Sequence, residues 1–221
     1  MKRVLVLRPE PAAAATAQRA RALGLKPVVV PLFEVEPAVW DAPDPSGFDA
    51  LLLTSGNAIR VGGDQLQALR GLPVHAVGDR TAEAARDAGF DVASSGDADV
   101  DRLLDSLDPE LRLLHLCGED RREAQESRQK ITPVIVYRST ARDKVDLAAA
   151  AGSVALVHSP RAARRLGELV RNKESVAIAA ISTAAADAAG FGWASVEAAD
   201  RPTDEALLAL AVRLCNKPPP E

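Results

Sequence analysis

Short runs of consecutive apolar residues alternate along this chain with longer stretches in which alanine and leucine recur at helical spacing. Val4-Leu5-Val6-Leu7, Leu51-Leu52-Leu53, Leu113-Leu114-His115-Leu116 and Val154-Ala155-Leu156-Val157 are such runs. The pattern predicts strands near 3–7, 27–33, 50–53, 74–77, 90–93, 111–116, 133–138, 154–158, 176–181 and 195–198. Helices are expected near 11–23, 56–70, 80–88, 99–107, 119–129, 160–171, 183–189 and 203–215. Gly24, Gly71 and Gly89 stand where a helix would end in a left-handed residue. Strands that are apolar throughout need cover on both faces, so their alternation with helices predicts parallel sheets flanked by helices.

The chain also resembles itself. Leu51-Leu52-Leu53-Thr54-Ser55-Gly56-Asn57-Ala58 aligns with Ala155-Leu156-Val157-His158-Ser159-Pro160-Arg161-Ala162, 104 positions later. At the same offset, Val77-Gly78-Asp79-Arg80-Thr81-Ala82 meets Ile181-Ser182-Thr183-Ala184-Ala185-Ala186, and Leu103-Leu104 meets Leu207-Leu208. Three ungapped blocks in one register mark a structural repeat of strand, small-residue turn and alanine-rich helix.

The repeat units cover 50–104 and 154–208 and leave the first strand–helix–strand unassigned. Its Leu5-Val6-Leu7-Arg8-Pro9-Glu10 parallels Leu114-His115-Leu116-Cys117-Gly118-Glu119, which follows the first unit. A circularly shifted arrangement satisfies both likenesses. Residues 1–33 plus 138–221 are expected to form one discontinuous α/β lobe, and 38–130 the other. The fold class is thus α/β, with two Rossmann-like or flavodoxin-like parallel-sheet lobes. The chain would cross between them at 31–37 and 131–138, both extended, β-branched and bounded by proline, which could pair as a two-stranded ladder. A working site in the cleft between the lobes is the expectation.

Composition narrows the classes. Apolar residues make up 47% of the 221 and aromatics 3%, so the core is built of alanine, valine and leucine. No apolar run approaches the roughly 20 residues of a membrane helix. Met1 to Leu7 imitates a signal peptide, but Arg8 and Pro9 cut it short, and a first strand is the better reading. Cys117 and Cys215 form no C-x-x-C pair, consistent with a reducing, cytoplasmic setting. With a net charge of −4 and no basic stripe, nucleic acid and anionic membrane are not the expected partners, whereas a small anion is compatible. The tail 217–221, rich in proline, is expected to be disordered.

Familiar motifs are missing. There is no G-x-G-x-x-G, no P-loop, no H-E-x-x-H and no G-x-S-x-G, so neither a nucleotide cofactor nor a metal is expected. His75, His115 and His158 read as strand histidines held by packing. Asp97-Ala98-Asp99-Val100-Asp101 starts like a calcium loop but has Arg102 where glycine and Asp108 where glutamate belong. Asp99 and Thr203, its partner in the repeat, are read as helix caps.

In open parallel sheets, ligands meet the carboxyl ends of strands, where unpaired N–H groups of the next helix attract anions. Six such turns occur here: at Arg8-Pro9-Glu10, Thr54-Ser55-Gly56-Asn57, Gly78 to Thr81, Gly118 to Arg121, Ser159-Pro160-Arg161 and Ser182-Thr183. An ordinary helix cap explains any one of them. Six directed at one ligand would bind a polyanion.

At this point the residues resemble a known family. Val4-Leu5-Val6-Leu7-Arg8-Pro9, Thr54-Ser55-Gly56-Asn57-Ala58, Ala76-Val77-Gly78 with Thr81-Ala82, Val136-Tyr137-Arg138, Ser159-Pro160-Arg161-Ala162 and Pro202-Thr203 occur in the order and spacing of uroporphyrinogen-III synthases. The resemblance implies two α/β lobes joined by a two-stranded ladder, and an enzyme that closes the linear tetrapyrrole hydroxymethylbilane while inverting its last ring, with loss of water. It implies a monomer, no cofactor, no metal and a small-molecule substrate. Tyr137, the only tyrosine in the chain, matches the family's tyrosine at the return crossing and is the candidate acid. Carboxylates would rest on Thr54, Ser55, Gly56 and Asn57, on Gly78, Thr81 and Gly118, and on Ser159 and Ser182. Arg8 and Arg161 would help by charge. The chain departs from the family at Ala185 and His158, where threonine is usual, and in the short stretch between Glu119 and Pro133. A non-enzymatic bilobal binding protein and a nucleotide-sugar or dinucleotide enzyme with degenerate phosphate loops are the alternatives.

Overall fold

A computed structural model describes residues 3–96, 99–120 and 127–216. In chain order the strands are β1 (Arg3–Val6), β2 (Lys26–Val29), β3 (Phe33–Pro37), β4 (Ala50–Leu53), β5 (Val74–Val77) and β6 (Val92–Gly96). They continue with β7 (Arg112–Gly118), β8 (Lys130–Ala141), β9 (Ser153–Val157), β10 (Val176–Ala180) and β11 (Ser195–Ala198). The helices are α1 (Ala12–Ala22), α2 (Asn57–Val61), α3 (Asp79–Asp87), α4 (Val100–Asp105), α5 (Pro160–Leu169), α6 (Thr183–Ala189) and α7 (Asp204–Asn216). Contacts divide the chain into two units, 1–34 with 141–221, and 35–140.

The first unit holds a parallel sheet ordered β11-β10-β9-β1-β2 among the described residues. The second holds β3-β8-β7-β4-β5-β6. From β8 to β6 this sheet is parallel. β9, β10 and β11 occupy the places in the first sheet that β4, β5 and β6 occupy in the second, and β1 and β2 match β7 and β8. The two sheets therefore share one strand order from β11 to β2 and from β6 to β8.

Alternation inside the strands builds two apolar layers per sheet. Leu5, Ala155 and Val157 point into a cluster with Ala162, Leu166 and Ala185 of α5 and α6. Val4, Val6 and Leu156 point the other way, against Ala13, Ala17 and Ala20 of α1 and Leu207 and Ala211 of α7. In the second unit, Leu51, Leu53 and Leu114 meet α2 and α3, while Ala50, Leu52 and Leu113 meet Leu103 and Leu104 of α4. The buried face of α1 is Ala13, Thr16, Ala17 and Ala20, small residues that let the helix lie close to the sheet.

β8 runs twelve residues, alongside β7 in parallel register and next to β3 on its other edge. Pro133 pairs with His115 on β7, yet β3 ends before reaching it, because Ala38 N–H already donates to Val136 O. Among the described residues, no strand on that side needs the N–H that proline lacks.

Several local expectations need correction. The helix expected over 56–70 is a short α2 followed by a 3₁₀ turn, Asp64–Leu69. Gly63 interrupts it: its φ of 74° leaves the helical region, whereas Gly62 before it is still right-handed. The strand expected over 27–33 is two, β2 and β3. Gly24 and Gly89 adopt φ of 72° and 82°, but Gly71 is not left-handed, since the turn before it is 3₁₀ rather than α. Asp99 and Thr203 cap as expected, accepting from the N–H of Asp101 at 3.1 Å and of Ala206 at 3.2 Å. Most of the helix expected at 119–129, the first residues of the calcium-like run, Arg121 and the tail lie outside the described residues. Among the described residues, no helix is long and apolar enough to cross a membrane.

Candidate functional site

Each sheet has one place where the strand order reverses, and loops diverge there to leave a crevice at the carboxyl ends. In the second unit it lies between β4 and β7; in the first it lies between β9 and β1. The residues singled out by sequence can be placed against these two positions.

In the second unit, Thr54, Ser55, Gly118 and Tyr137 come together. Thr54 and Ser55 leave the end of β4, Gly118 ends β7, and Tyr137 is the β8 residue paired with Gly118. The Thr54 hydroxyl lies 3.0 Å from His115 Nε2, and His115 is buried on β7. The Ser55 hydroxyl accepts the Asn57 N–H at 3.2 Å and is a hydrogen-bond partner of the Tyr137 phenol. Burial pushes that phenol above its ordinary value, against a smaller lowering effect of Ser55, so it keeps its proton at neutral pH. The Glu119 N–H donates to the Tyr137 carbonyl at 3.0 Å.

Other candidates in this unit are already engaged. Asn57 begins α2 and its Oδ1 accepts from Arg60 at 3.0 Å. Gly56 lies under the Arg60 guanidinium, 3.1 Å from where a Cβ would be. Gly78 needs to be glycine at φ 81°, but its N–H donates to Gly96 O at 2.7 Å and so is not available to a ligand. Thr81 is buried on α3.

In the first unit, the crevice side chains gather around Asp204, at the start of α7. Its carboxylate receives the Thr16 hydroxyl at 3.1 Å, Arg19 Nε at 2.9 Å and His158 Nε2 at 2.8 Å, and Arg8 Nη1 stands at 3.5 Å. Burial raises the Asp204 carboxyl, but the hydrogen bonds from His158 and Arg19 outweigh it and hold it well below the usual carboxylate range. Burial keeps His158 below its ordinary value in spite of Asp204, so the imidazole is neutral and donates through Nε2–H. Arg8, expected to reach a ligand, is thus partly spent on an internal carboxylate. Arg161 stacks its guanidinium 4.4 Å from the Phe33 ring centroid. Ser159 and Ser182 cap α5 and α6, accepting from Ala162 at 3.1 Å and Ala185 at 3.3 Å. Each hydroxyl still has its own proton to offer a carboxylate.

Sequence reasoning missed His115, Asp204, Thr16 and Arg19. The histidines looked like packing residues, whereas each bonds a specific side chain: His115 to Thr54, His158 to Asp204 and His75 to Ser94 at 2.7 Å. Those partners lie between 19 and 61 residues away, and no local spacing announces them. Among the described residues, no group of three His, Cys, Asp or Glu converges as metal ligands.

Comparison with known proteins adds the family. A search of curated sequences finds no significant match. The chain is similar in fold to a crystal structure of uroporphyrinogen-III synthetase from Helicobacter pylori, at 20% identity and TM-score 0.67, covering 96% of this chain and 99% of that one. A mutant uroporphyrinogen III synthase from Thermus thermophilus aligns over 98% and 100% of the two chains at 19% identity and TM-score 0.51. The family model described as Uroporphyrinogen-III synthase HemD matches residues 14–209, across both units. With residues 14–209 of the 221 matched by that model, the protein belongs to the uroporphyrinogen-III synthase family.

Proposed function

We propose that this chain closes hydroxymethylbilane to uroporphyrinogen III, with inversion of the last pyrrole ring and loss of water, and that Tyr137 is its acid. The observation that carries the second part is the seat of Tyr137. The phenol stands at the strand-order reversal of the second unit, half-buried, protonated and hydrogen-bonded to Ser55.

In this reading the Tyr137 O–H protonates the departing hydroxyl, which leaves as water. The azafulvenium cation that remains is attacked by the substituted carbon of the last ring, giving a spiro intermediate that fragments and recloses inverted. The proton lost when the closing pyrrole regains aromaticity neutralises the phenolate, so atoms and charge balance. A dehydration without net redox change asks for no redox cofactor. General-acid help of this kind contributes about 10²–10⁴-fold, and holding the chain ends in one geometry adds several kcal/mol.

The substrate carries many carboxylates, which suits hydroxyl and amide donors at strand ends. Ser159, Ser182 and Thr54 offer hydroxyl protons, and the starts of α3 and α5 offer amides and a favourable dipole. Arg8 and Arg161 contribute positive potential from their places beside Asp204 and Phe33. A monomer working in the cytoplasm is the accompanying reading, and sedimentation of the active protein checks its first half.

The test is to incubate purified protein with hydroxymethylbilane, oxidise, and separate the porphyrin isomers. The expected product is the inverted isomer, formed faster than spontaneous closure. Only the uninverted isomer, at the spontaneous rate, would refute the proposal and favour a non-enzymatic binding protein.

A further inference from the structure

We propose that Gly118 and Ser55 are positioning residues for Tyr137, Gly118 by leaving the space in which the phenol ring lies and Ser55 by fixing the direction of its hydroxyl. This rests on the reading of Tyr137 as the acid and deepens it.

The geometry begins with a register shift. β7 and β8 pair evenly from Arg112 to Cys117, then slip between Cys117 and Gly118, so that Gly118 faces Tyr137 instead of Val136. The slip brings the ring onto the Gly118 backbone. A Cβ on Gly118 would lie 2.6 Å from Cε2, 2.7 Å from Cζ and 3.0 Å from the hydroxyl oxygen of Tyr137. These atoms belong to a rigid ring, which cannot yield as the tip of a flexible chain could. The strand cannot yield easily either, because Val136 is fully buried and its carbonyl accepts from Ala38, while the Tyr137 carbonyl accepts from Glu119. Gly118 is not in the left-handed region, so glycine is required here for room and not for backbone conformation.

Ser55 acts from the other side. Its hydroxyl accepts from the Asn57 N–H, which orients it at the end of β4, and it is the side-chain hydrogen-bond partner of the phenol. β4 and β7 flank the reversal of strand order. The hydroxyl that must deliver a proton is therefore steered by two residues from the strands on either side of that crevice, neither of which needs to touch the reacting atoms.

The protein carries its own probe, since Tyr137 is the only tyrosine. The tyrosinate band in the near ultraviolet reports the ionisation of this one residue. Three variants are compared with the parent for that titration, for kcat and KM on hydroxymethylbilane, and for thermal midpoint. Tyr137→Phe sets the scale. For Gly118→Ala, the displaced ring meets water, so its titration should move down toward the ordinary phenol value of about 10. Its kcat should fall about 100-fold, with KM within about twofold. For Ser55→Ala, loss of the hydrogen bond should move the titration further up and lower kcat about tenfold.

If Tyr137→Phe turns over like the parent, the acid reading fails. If Tyr137→Phe is slow while Gly118→Ala and Ser55→Ala keep parental titration and kcat, the positioning role is overturned and the acid reading stands. A lower thermal midpoint with the titration unmoved would likewise overturn it, because a purely structural glycine predicts that pattern. Should Gly118→Ala not fold, the direction of the Ser55→Ala titration decides alone.

Discussion

His158 Nε2 lies 2.8 Å from Asp204 Oδ1, and that bond ties the end of β9 to the first turn of α7 across 46 residues. Thr16 and Arg19 of α1 join the same carboxylate, so one side chain fastens three elements around the crevice of the first unit. Where the second unit has Thr54 bonded to His115, the first has His158 bonded to Asp204. The residue that takes the place of Thr54 in the repeat thus comes with its own partner.

Asp204→Asn keeps shape and removes charge. It leaves two guanidiniums facing a neutral amide in a site where the Asp204 side chain is only 11% exposed. Removing one partner of a buried pair costs about 3–5 kcal/mol, and the partly exposed arginines, at 29%, reduce this to about 2 kcal/mol. Urea unfolding should read that loss as a lower midpoint at unchanged slope. An unchanged midpoint would mean the carboxylate is not a fastening point.

Acid should weaken the fold in two stages. Burial holds His158 and His75 below their ordinary value of 6.5, so once pH falls below it the unfolded chain binds more protons than the folded one. Stability is then fully present above about pH 6.5 and is lost as pH falls toward the folded values. Asp204, held below 3.8, adds a second loss at lower pH with the same sign. His158→Gln should remove part of the first stage and leave the part due to His75. Thermal midpoints measured in steps from pH 7.5 downward would show this, and a variant as acid-sensitive as the parent would refute it.

Gln129 is a buried cap. Its amide donates to the carbonyls of Leu104 at 2.9 Å and of Leu107 and Asp108 at 3.3 Å, closing the end of α4. Gln129→Met fills the same volume but removes this donor, leaving the Leu104 and Asp108 carbonyls only the backbone N–H groups of Leu107 and Leu111, which should cost about 1–3 kcal/mol. Denaturant titration checks this, with porphyrin isomer composition expected to stay unchanged.

Gly78 and Gly118 are required for opposite reasons. Nothing lies within 4 Å of a Cβ at Gly78, but its φ of 81° is hostile to any other residue. Gly78→Ala should therefore cost about 1–2 kcal/mol of stability, with little effect on the Tyr137 titration. Gly118→Ala should instead move the Tyr137 titration, in addition to whatever its clash with the ring costs in stability. Equal effects of both on the titration would remove the distinction.

Tyr137→Phe should lower kcat by about 10²–10⁴-fold. The thermal midpoint should hardly move, since the ring still packs beside the core of the second unit. Parental kcat would take Tyr137 out of the chemistry.

Much of this was legible beforehand because it is local or periodic. The repeat, the strand–turn–helix order, the caps at Asp99 and Thr203 and the positions of the turns after β4, β7 and β9 follow from neighbours in the chain. Arg8 and Gly78 were legible as positions but not in their engagements: Asp204 and Gly96, which occupy them, lie 196 and 18 residues away. Gly118 was noticed as a turn, yet its reason for being glycine is a ring contributed by another strand.

The sequence by itself determined which segments become strands and helices, that two copies of one unit build the sheets, and which side chains stand at strand ends. Backbone propensity and alternating hydrophobicity act over a few residues, so they can be read without knowing the partner. Tertiary structure alone decided which strand ends adjoin, where the β7–β8 register slips, and which hydroxyl, imidazole or carboxylate each candidate meets. Those outcomes depend on packing between residues far apart in the chain, where a displacement of an ångström makes or breaks a hydrogen bond.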